Sequence, residues 1–273
     1  MSYRAIGIYR EPEFSPGKVQ ADAAILDASL AELAREGVEV EALTPSQFLD
    51  RPEIGADLVL AMCQSEAALR RLAEVERAGA VAINSALAIR NCYRDLLAPG
   101  LERAGVPTPV GALIRTDERL DQRALGGVDL DQPVFVKRGD LHALGADDVQ
   151  RAVGRADVED KLRGLARKGV RRAYVQQEYR GAVVKFYGVS GGSYFTVISS
   201  DGELPEIAMR ELSEAAHKAS AALGLEAWGG DAVINEDCFA IIDFNDWPSF
   251  SKVRHDAARA IARRGLSLLA RAR

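Results

Sequence analysis

The chain has 273 residues, of which 48% are hydrophobic and 27% charged, and its formal net charge is -5. This length predicts two or three lobes, and the net negative charge argues against a nucleic-acid partner. Because no apolar stretch approaches the length of a membrane span and the N-terminus has no apolar signal core, we expect a soluble, cytoplasmic protein that does not bind membranes.

Strands and helices alternate over the first third of the chain. The pattern predicts strands over 4–9, 38–43, 57–62 and 80–84, with helices over 22–35 and 66–78. Such alternation is typical of a small sheet with parallel neighbours covered by helices, which is a Rossmann-like lobe. No GxGxxG follows the first strand, so a dinucleotide is not expected.

The rest of the chain predicts a different arrangement, in which strands pair as hairpins. A helix is predicted over 85–103, followed by Gly105 as a stop signal. Further strands are predicted over 110–115, 133–137, 173–179, 182–190, 193–199, 226–234 and 238–244, with helices over 158–168, 206–223 and 253–270. The three cysteines, Cys63, Cys92 and Cys238, show no CxxC spacing and are expected to be buried free thiols.

Three oxygen-bearing side chains are predicted to converge at the last strand pair. Asp243 and Asn245 are two residues apart and so share a face, and folding the hairpin brings Asp231 beside Asp243. Two carboxylates and one amide form a hard oxygen site, which suits Mg²⁺. The alternative is that Asp243 and Asp246 are ordinary turn residues.

Four motifs in order resemble the ATP-grasp superfamily. They are RNCYRDLLAPGLERAGVPTP (90–109), PVFVKRGD (133–140), YVQQEYRG (174–181) and GGDAVINEDCFAIIDFNDWPSF (229–250). The resemblance implies an ATP-grasp fold of mixed α/β and α+β class, in which two α+β subdomains clamp ATP behind the Rossmann-like lobe. The implied domains are 1–84, 85–178 and 179–273.

The resemblance also implies a role for particular residues. Lys137 would reach the α- and β-phosphates, Arg94 and Lys185 would neutralise phosphate charge during catalysis, and the segment after 176 would bind the adenine edge through its backbone. The expected ATP-binding residues are Arg94, Lys137, Gln177, Glu178, Tyr179, Arg180 and Lys185; the expected metal ligands are Asp231, Asp243 and Asn245. The implied cofactors are ATP and one or two Mg²⁺, with Mn²⁺ as a substitute.

Several features depart from the family's pattern or leave alternatives open. The loop after Lys137 has only Gly139 and Gly145, where relatives have more glycines, and His142 in that loop either contacts a phosphate or is solvated. Lys18 either approaches a substrate or is solvated. The motif WPSF (247–250) either shapes an acceptor pocket or anchors the last helix in the core.

Three functions remain open at this point. Most of the superfamily activates a carboxylate as an acyl phosphate and ligates it to an amine, which we rank first. A kinase acting on a hydroxyl is the alternative, because VVKFYGV is similar to inositol-phosphate kinases of the superfamily and the stretch 199–212, with Arg210 as its only arginine, lacks an Arg- and Gly-rich loop. A third possibility is a non-catalytic ATP-binding regulatory protein. The expected partner is a small-molecule acceptor, and the sequence predicts no oligomeric state.

Overall fold

The computed structural model describes residues 3–141, 145–192, 194–199, 206–235 and 238–272. Within these ranges, none of the helices combines the length and apolarity that a membrane crossing needs. The strands form three separate four-stranded sheets, which follow one another along the chain.

The first sheet is parallel throughout, with strand order β2–β1–β3–β4, which confirms the predicted lobe type. Both faces of the sheet are buried. Ala5 belongs to a core shared with α1 and with the last helix, Arg254–Arg271, whereas Ile6 and Ile8 belong to a core shared with α3. The strands are β1 Arg4–Ile8, β2 Glu39–Leu43, β3 Leu58–Ala61 and β4 Val81–Ile83; the helices are α1 Val19–Arg35, α2 Pro45–Asp50 and α3 Glu66–Arg77.

The helix predicted over 85–103 is in fact two helices, α4 (Ala86–Asn91) and α5 (Arg94–Arg103), so that prediction is wrong. The break falls at Cys92 and Tyr93, where Tyr93 has extended backbone angles. The Tyr93 hydroxyl donates to the Gln64 carbonyl at 2.5 Å, which fixes the break against the first lobe. As a result, Arg94 is the first residue of α5 rather than lying one turn inside a longer helix.

The second sheet is antiparallel, with strand order β5–β8–β6–β7. One face packs on α6, because alternate residues such as Val134, Val136 and Val175 are apolar. The opposite face carries Lys137, Tyr174 and Gln176. The elements are β5 Gly111–Arg115, β6 Val134–Arg138, β7 Val149–Ala152, α6 Arg155–Arg167 and β8 Arg172–Gln177.

The third sheet is also antiparallel, with strand order β10–β9–β11–β12. One face is an aromatic core against α5 and α7, in which Phe186, Trp228 and Phe244 are fully buried. The elements are β9 Ala182–Val189, β10 Tyr194–Ser199, α7 Glu206–Leu223, β11 Ala227–Ile234, β12 Phe239–Asp246 and α8 Arg254–Arg271. Since β12 continues to Asp246, the interpretation of Asp243 and Asp246 as turn residues is wrong.

The first and third sheets share one hydrophobic core. It contains Leu58 and Ile83 from the first sheet, Val189 from the third, and Ile261 from α8. Trp247 and Phe250 are fully buried in the same core, which favours the predicted role of WPSF as an anchor. The domain bounds expected from the sequence stay a prediction.

Asn84 ties the end of β4 to the start of β11. Its buried side-chain amide accepts from the backbone N–H groups of Glu226 (2.7 Å) and Ala227 (2.9 Å) and donates to the Ala227 carbonyl at 2.7 Å. The Asn84 side chain thus makes hydrogen bonds to the start of β11 that a neighbouring strand would otherwise make.

We expect Asn84→Ala to lower the stability of the whole protein. The substitution leaves two buried N–H donors without a partner, and each such donor costs about 1–3 kcal/mol. The free energy of unfolding in urea should fall by roughly 3 kcal/mol. Asn91→Ala is the matched control, because Asn91 makes a single bond to the Leu223 carbonyl. Equal losses in the two variants would contradict the assigned role of Asn84.

Candidate functional site

Lys137 is buried between the second and third sheets. It follows Val136 on β6 and therefore lies on the face opposite the α6 core, where its side chain is only 6% exposed. Its ammonium donates to the Gln176 Oε1 at 2.7 Å and to the Ile242 carbonyl at 2.9 Å. A single lysine thereby joins the two sheets at the point where the motifs predict phosphates.

Burial lowers the pKa of Lys137 from 10.5 to about 8. Removal from water disfavours the charged form; Asp243 opposes that effect, while the nearby Arg94 adds to it. Because a bound polyphosphate would bring further negative charge to this point, it would favour the protonated lysine. The side chain is therefore suited to an anionic ligand.

A β-bulge in β12 places the carbonyl that Lys137 contacts. Asp231 pairs with Asp243, but the next residue of β11, Ala232, pairs with Ile241, so Ile242 is an extra residue on β12. Gly230 allows the strands to approach here, because a Cβ at that position would lie 2.3 Å from the Asp243 carbonyl oxygen. The bulge keeps the apolar Ile241 on the core side and Asp243 on the opposite face.

The face of the third sheet away from its aromatic core carries a row of polar side chains. Lys185, Asp231 and Asp243 are register partners on β9, β11 and β12. The Lys185 ammonium donates to the Asp231 Oδ1 at 2.7 Å, and the Asn245 amide donates to the Asp243 Oδ2 at 3.4 Å. Burial works against the charge on Lys185, but Asp231 outweighs it and the pKa of Lys185 is raised.

Arg94 approaches this row from the start of α5. Its side chain is buried, and the guanidinium donates to the Arg138 carbonyl at 2.8 Å and to the Asp243 Oδ1 at 3.4 Å. Although it stands at the start of a helix, Arg94 is therefore not exposed to solvent. Arg94, Lys137 and Lys185 together outnumber the two carboxylates, so an anionic ligand would be attracted here.

The chemistry of the donor set fits a divalent cation. Asp231 and Asp243 lie directly opposite each other on neighbouring strands, where Lys185 and Arg94 compensate their like charges and a divalent cation would do so further. Asn245 adds an amide oxygen on the same face. In the part of the chain that the structure describes, no group of three His, Cys, Asp or Glu residues is placed to hold a metal. Among the described residues, the two carboxylates and the amide are the candidate oxygen donors for a cation.

The segment predicted to bind adenine has its side chains engaged with the protein. The Gln177 amide accepts from the Asp129 N–H at 3.0 Å and donates to the Pro133 carbonyl at 2.9 Å. Arg151 donates to both oxygens of Glu178 at 2.7 and 3.2 Å and, together with Arg180, lowers the pKa of that carboxyl. These contacts stabilise the end of β8, and base recognition by this segment stays a prediction.

Tyr179 links that segment to the hairpin of the third sheet. Its hydroxyl lies 2.6 Å from the Cys238 Sγ and accepts from the Asn235 amide at 3.3 Å. Cys238 is exposed, so its predicted burial is wrong, whereas Cys63 and Cys92 are buried free thiols as predicted. The turn residues 236–237 lie outside the described residues.

A pocket opens beside the polar row. Its wall is apolar on the α5 side, with Leu97 and Leu101, and polar where Arg94 and Asp243 face it. The remaining lining residues are Ala98, Thr108, Tyr174, Gln176, Ile241 and Ile242. The cavity volume is about 20 Å³, which is room for about one water molecule, so this pocket marks a narrow gap between the elements.

Other predicted positions lie elsewhere or are not described. Lys18 precedes α1 and is exposed, and Arg210 is exposed on α7. His142 and residues 200–205 lie outside the described residues. The loop after Lys137 is held at both ends by Arg138, which donates to Asp140 at 2.7 and 3.0 Å and to Asp148 at 3.1 Å. Motif matching did not identify Arg138, Gln176 or the Ile242 carbonyl, because their positions depend on pairing and on a bulge.

No protein-family model matches the sequence, and no curated protein matches it. Several solved structures, in contrast, do match this chain. The D-alanine–D-alanine ligase from Bacillus anthracis complexed with ATP has a TM-score of 0.75 at 12% identity, with 99% of each chain covered. The D-alanine–D-alanine ligase from Coxiella burnetii has a TM-score of 0.75 at 11% identity, covering 99% of this chain and 97% of that one. The RimK domain ATP-grasp protein from Sphaerobacter thermophilus has a TM-score of 0.70 at 17% identity, covering 96% and 99%. At these identities the likeness concerns the fold, and it confirms the predicted fold class.

Proposed function

We propose that this chain, which has the ATP-grasp fold, binds ATP with a divalent cation and activates the carboxylate of a small molecule for ligation to an amine. The observation that supports this proposal is that two groups of polar side chains converge at one place. Lys137 and Arg94 approach from the second sheet and α5, while Lys185, Asp231, Asp243 and Asn245 line the third sheet. The structural neighbours that are D-alanine–D-alanine ligases support the same class of reaction.

In the proposed reaction a carboxylate oxygen of the acceptor attacks the γ-phosphorus of ATP. The bond from phosphorus to the bridging oxygen breaks and ADP leaves. The amine then attacks the acyl carbon, a C–N bond forms, and phosphate leaves with one oxygen of the original carboxylate. The amine nitrogen gives up its proton to solvent.

The residues of the chain would act through charge and position, which is most of what phosphoryl transfer requires of a protein. Lys137 and Arg94 would hold the phosphates of ATP, and Lys185 would face the transferred group. Asp231, Asp243 and Asn245 would hold the divalent cation, which when bound offsets charge on the phosphoryl oxygens.

A kinase that phosphorylates a hydroxyl is the second candidate. Among the described residues of the third sheet, Lys185 is the only basic side chain on a strand, and its segment VVKFYGV is the one that is similar to inositol-phosphate kinases. A kinase needs no second nucleophile and releases no inorganic phosphate.

The test separates these possibilities by following oxygen atoms. Wild-type protein would be incubated with Mg·ATP and acceptor pools whose carboxylates carry oxygen-18, with and without amines, and ADP and phosphate would be measured together. We expect ADP and phosphate in equal amounts, dependent on both acceptor and amine, with one labelled oxygen in the phosphate.

The other outcomes each contradict the ligase proposal. ADP formed with hydroxy compounds and without free phosphate would identify a kinase. Calorimetric binding of Mg·ATP with no turnover in any pool would leave a non-catalytic ATP-binding protein. An absence of Mg·ATP binding would overturn the proposed site itself.

A further inference from the structure

A buried arginine, Arg10, connects the first lobe to the segment that follows the proposed cation ligands. It lies two residues beyond the end of β1, and its side chain is 10% exposed. Its NH2 group donates to the carbonyls of Trp247 at 2.8 Å and of Asp246 at 3.3 Å. These two residues directly follow Asn245, so Arg10 contacts the main chain where β12 leaves the site.

The segment that Arg10 holds has an unfavourable backbone conformation. Trp247 has a φ of 39°, a left-handed value that is uncommon for residues other than glycine, asparagine and aspartate. Such conformations persist where the surroundings hold them in place. Here the indole N–H of Trp247 donates to the Ile83 carbonyl at 2.9 Å, and Arg10 binds the Trp247 carbonyl. The turn after the ligands is therefore fixed from two sides.

Asp246 is fixed by a second contact from the first lobe. Its Oδ1 accepts from the Gln64 amide at 3.0 Å, and its side chain is fully buried. The main chain at Gln64 is in turn held by Glu11, whose carboxylate accepts from the N–H groups of Gln64 at 2.9 Å and Ser65 at 3.0 Å. Arg10 and Glu11, which are adjacent in one loop, therefore both help to fix the position of Asp246. Arg10 does so directly, and Glu11 does so through Gln64.

The orientation of Arg10 itself is set by Asp22 and by the end of β3. The guanidinium donates to the Asp22 Oδ2 and to the Met62 carbonyl, both at 3.2 Å. Asp22 is buried and also accepts from the Ser15 hydroxyl. A planar guanidinium can serve all these acceptors at once, which a lysine ammonium at the same place cannot do.

We propose that Arg10 is a positioning residue for the cation site: by fixing the main chain of Asp246 and Trp247, it holds Asn245 and Asp243 at the spacing that a divalent cation with ATP requires. This inference rests on the proposed function. Arg10 touches neither ligand side chain, so its effect is expected on affinity for the cation rather than on the chemical step. Residues that orient metal ligands typically change metal affinity 10- to 100-fold when they are replaced.

The experiment measures Mn²⁺ binding in the presence of ATP by the paramagnetic resonance signal of free Mn²⁺. Arg10→Met should weaken Mn²⁺ binding about 10- to 100-fold, and Arg10→Lys should have a smaller effect. Turnover of Arg10→Met should recover toward the wild-type rate at high Mg²⁺. Asn91→Ala is the matched control, because its bond to the Leu223 carbonyl lies away from the turn, and its Mn²⁺ affinity should equal that of the wild type.

The outcomes separate this inference from the proposed function. Unchanged Mn²⁺ affinity in Arg10→Met, or an equal loss in Asn91→Ala, would overturn the role of Arg10 while leaving the cation site in place. Wild-type protein that binds no Mn²⁺ with ATP would overturn the site and the inference together. If Arg10→Met does not fold, Arg10→Lys provides the test. A Mn²⁺ affinity equal to that of the wild type would contradict the proposal. A lower Mn²⁺ affinity, with turnover that recovers at high Mg²⁺, would support it.

Discussion

Asp243→Asn should reduce ATP turnover about 100- to 1,000-fold, the range seen when one group that stabilises transition-state charge is removed. The amide keeps the shape of the side chain but removes the charge that faces Asp231, Arg94 and the proposed cation. The fold should survive, because Arg94 keeps its bond to the Arg138 carbonyl. The measurement is kcat/KM for ATP as a function of Mg²⁺ concentration, with circular dichroism to check folding.

Asp160→Asn is the matched control for that substitution. Asp160 is a 68% exposed residue of α6, paired only with Arg163 at 3.5 Å among the contacts described. Loss of an exposed pair of this kind has little effect, so the control should keep wild-type kinetics. An Asp243→Asn protein that retains kcat/KM within about threefold of wild type would remove Asp243 from the proposed site.

Lys137→Met should raise the KM for ATP about 10- to 100-fold, since a hydrogen bond to a charged group contributes about 1.5–3 kcal/mol. Stability should change little, because the loss of the bonds to Gln176 and Ile242 is set against the removal of a buried charge. The lysine is buried at a cost, which the lowered pKa reports, and methionine has a similar length without the charge. The comparison of KM with the urea unfolding midpoint separates a ligand-binding role from a structural one. A large loss of stability with unchanged KM would contradict it.

The pH dependence gives a second test of Lys137. Its pKa of about 8 in the free protein means that kcat/KM for ATP should fall as the pH rises through 8, because that parameter reports the free enzyme. Lys137→Arg should show no such fall, since a guanidinium stays charged. A wild-type profile that is flat between pH 7 and 9 would count against phosphate binding by this residue.

Stability should change in the opposite direction over the higher pH range. The folded-state pKa of Lys137 is below its ordinary value of 10.5, so between about pH 8 and 10.5 the unfolded chain binds more protons than the folded one. The free energy of unfolding contributed by this residue therefore rises with pH in that window. Subtracting the values for Lys137→Met from those of the wild type isolates this contribution from the other titrating groups.

Much of the fold could be predicted from local patterns. The strand–helix alternation of the first lobe and the two antiparallel pairs of the third sheet follow from hydrophobic periodicity. The helix α2 was missed although the signal was present: Thr44 and Gln47 form a capping box, with Pro45 in the first turn. The strand β7 was missed for a physical reason, because it is an edge strand whose residues VQRA show no alternation of apolar and polar side chains.

Residues of the site could be predicted from the sequence only where the type of residue at a position is itself unusual for its surroundings. A lysine at the end of an apolar strand and a pair of acidic and amide residues two apart stand out in the sequence. The bulge at Ile242 does not, because strand register depends on pairing between distant segments. The same holds for Arg10, since an arginine in a loop usually points to solvent and nothing local indicates that it binds carbonyls more than two hundred residues away.

The shared core between the first and third sheets bears on how this protein could be divided or recombined. Residues 1–84 supply Leu58, Ile83 and α1 to the same core as Trp247, Phe250 and α8. A fragment that begins at residue 85 would expose that apolar surface and lose the Asn84 contacts to β11. The first lobe is therefore not an exchangeable module, and transplanting residues 85–273 onto another protein would require a new partner surface for α8.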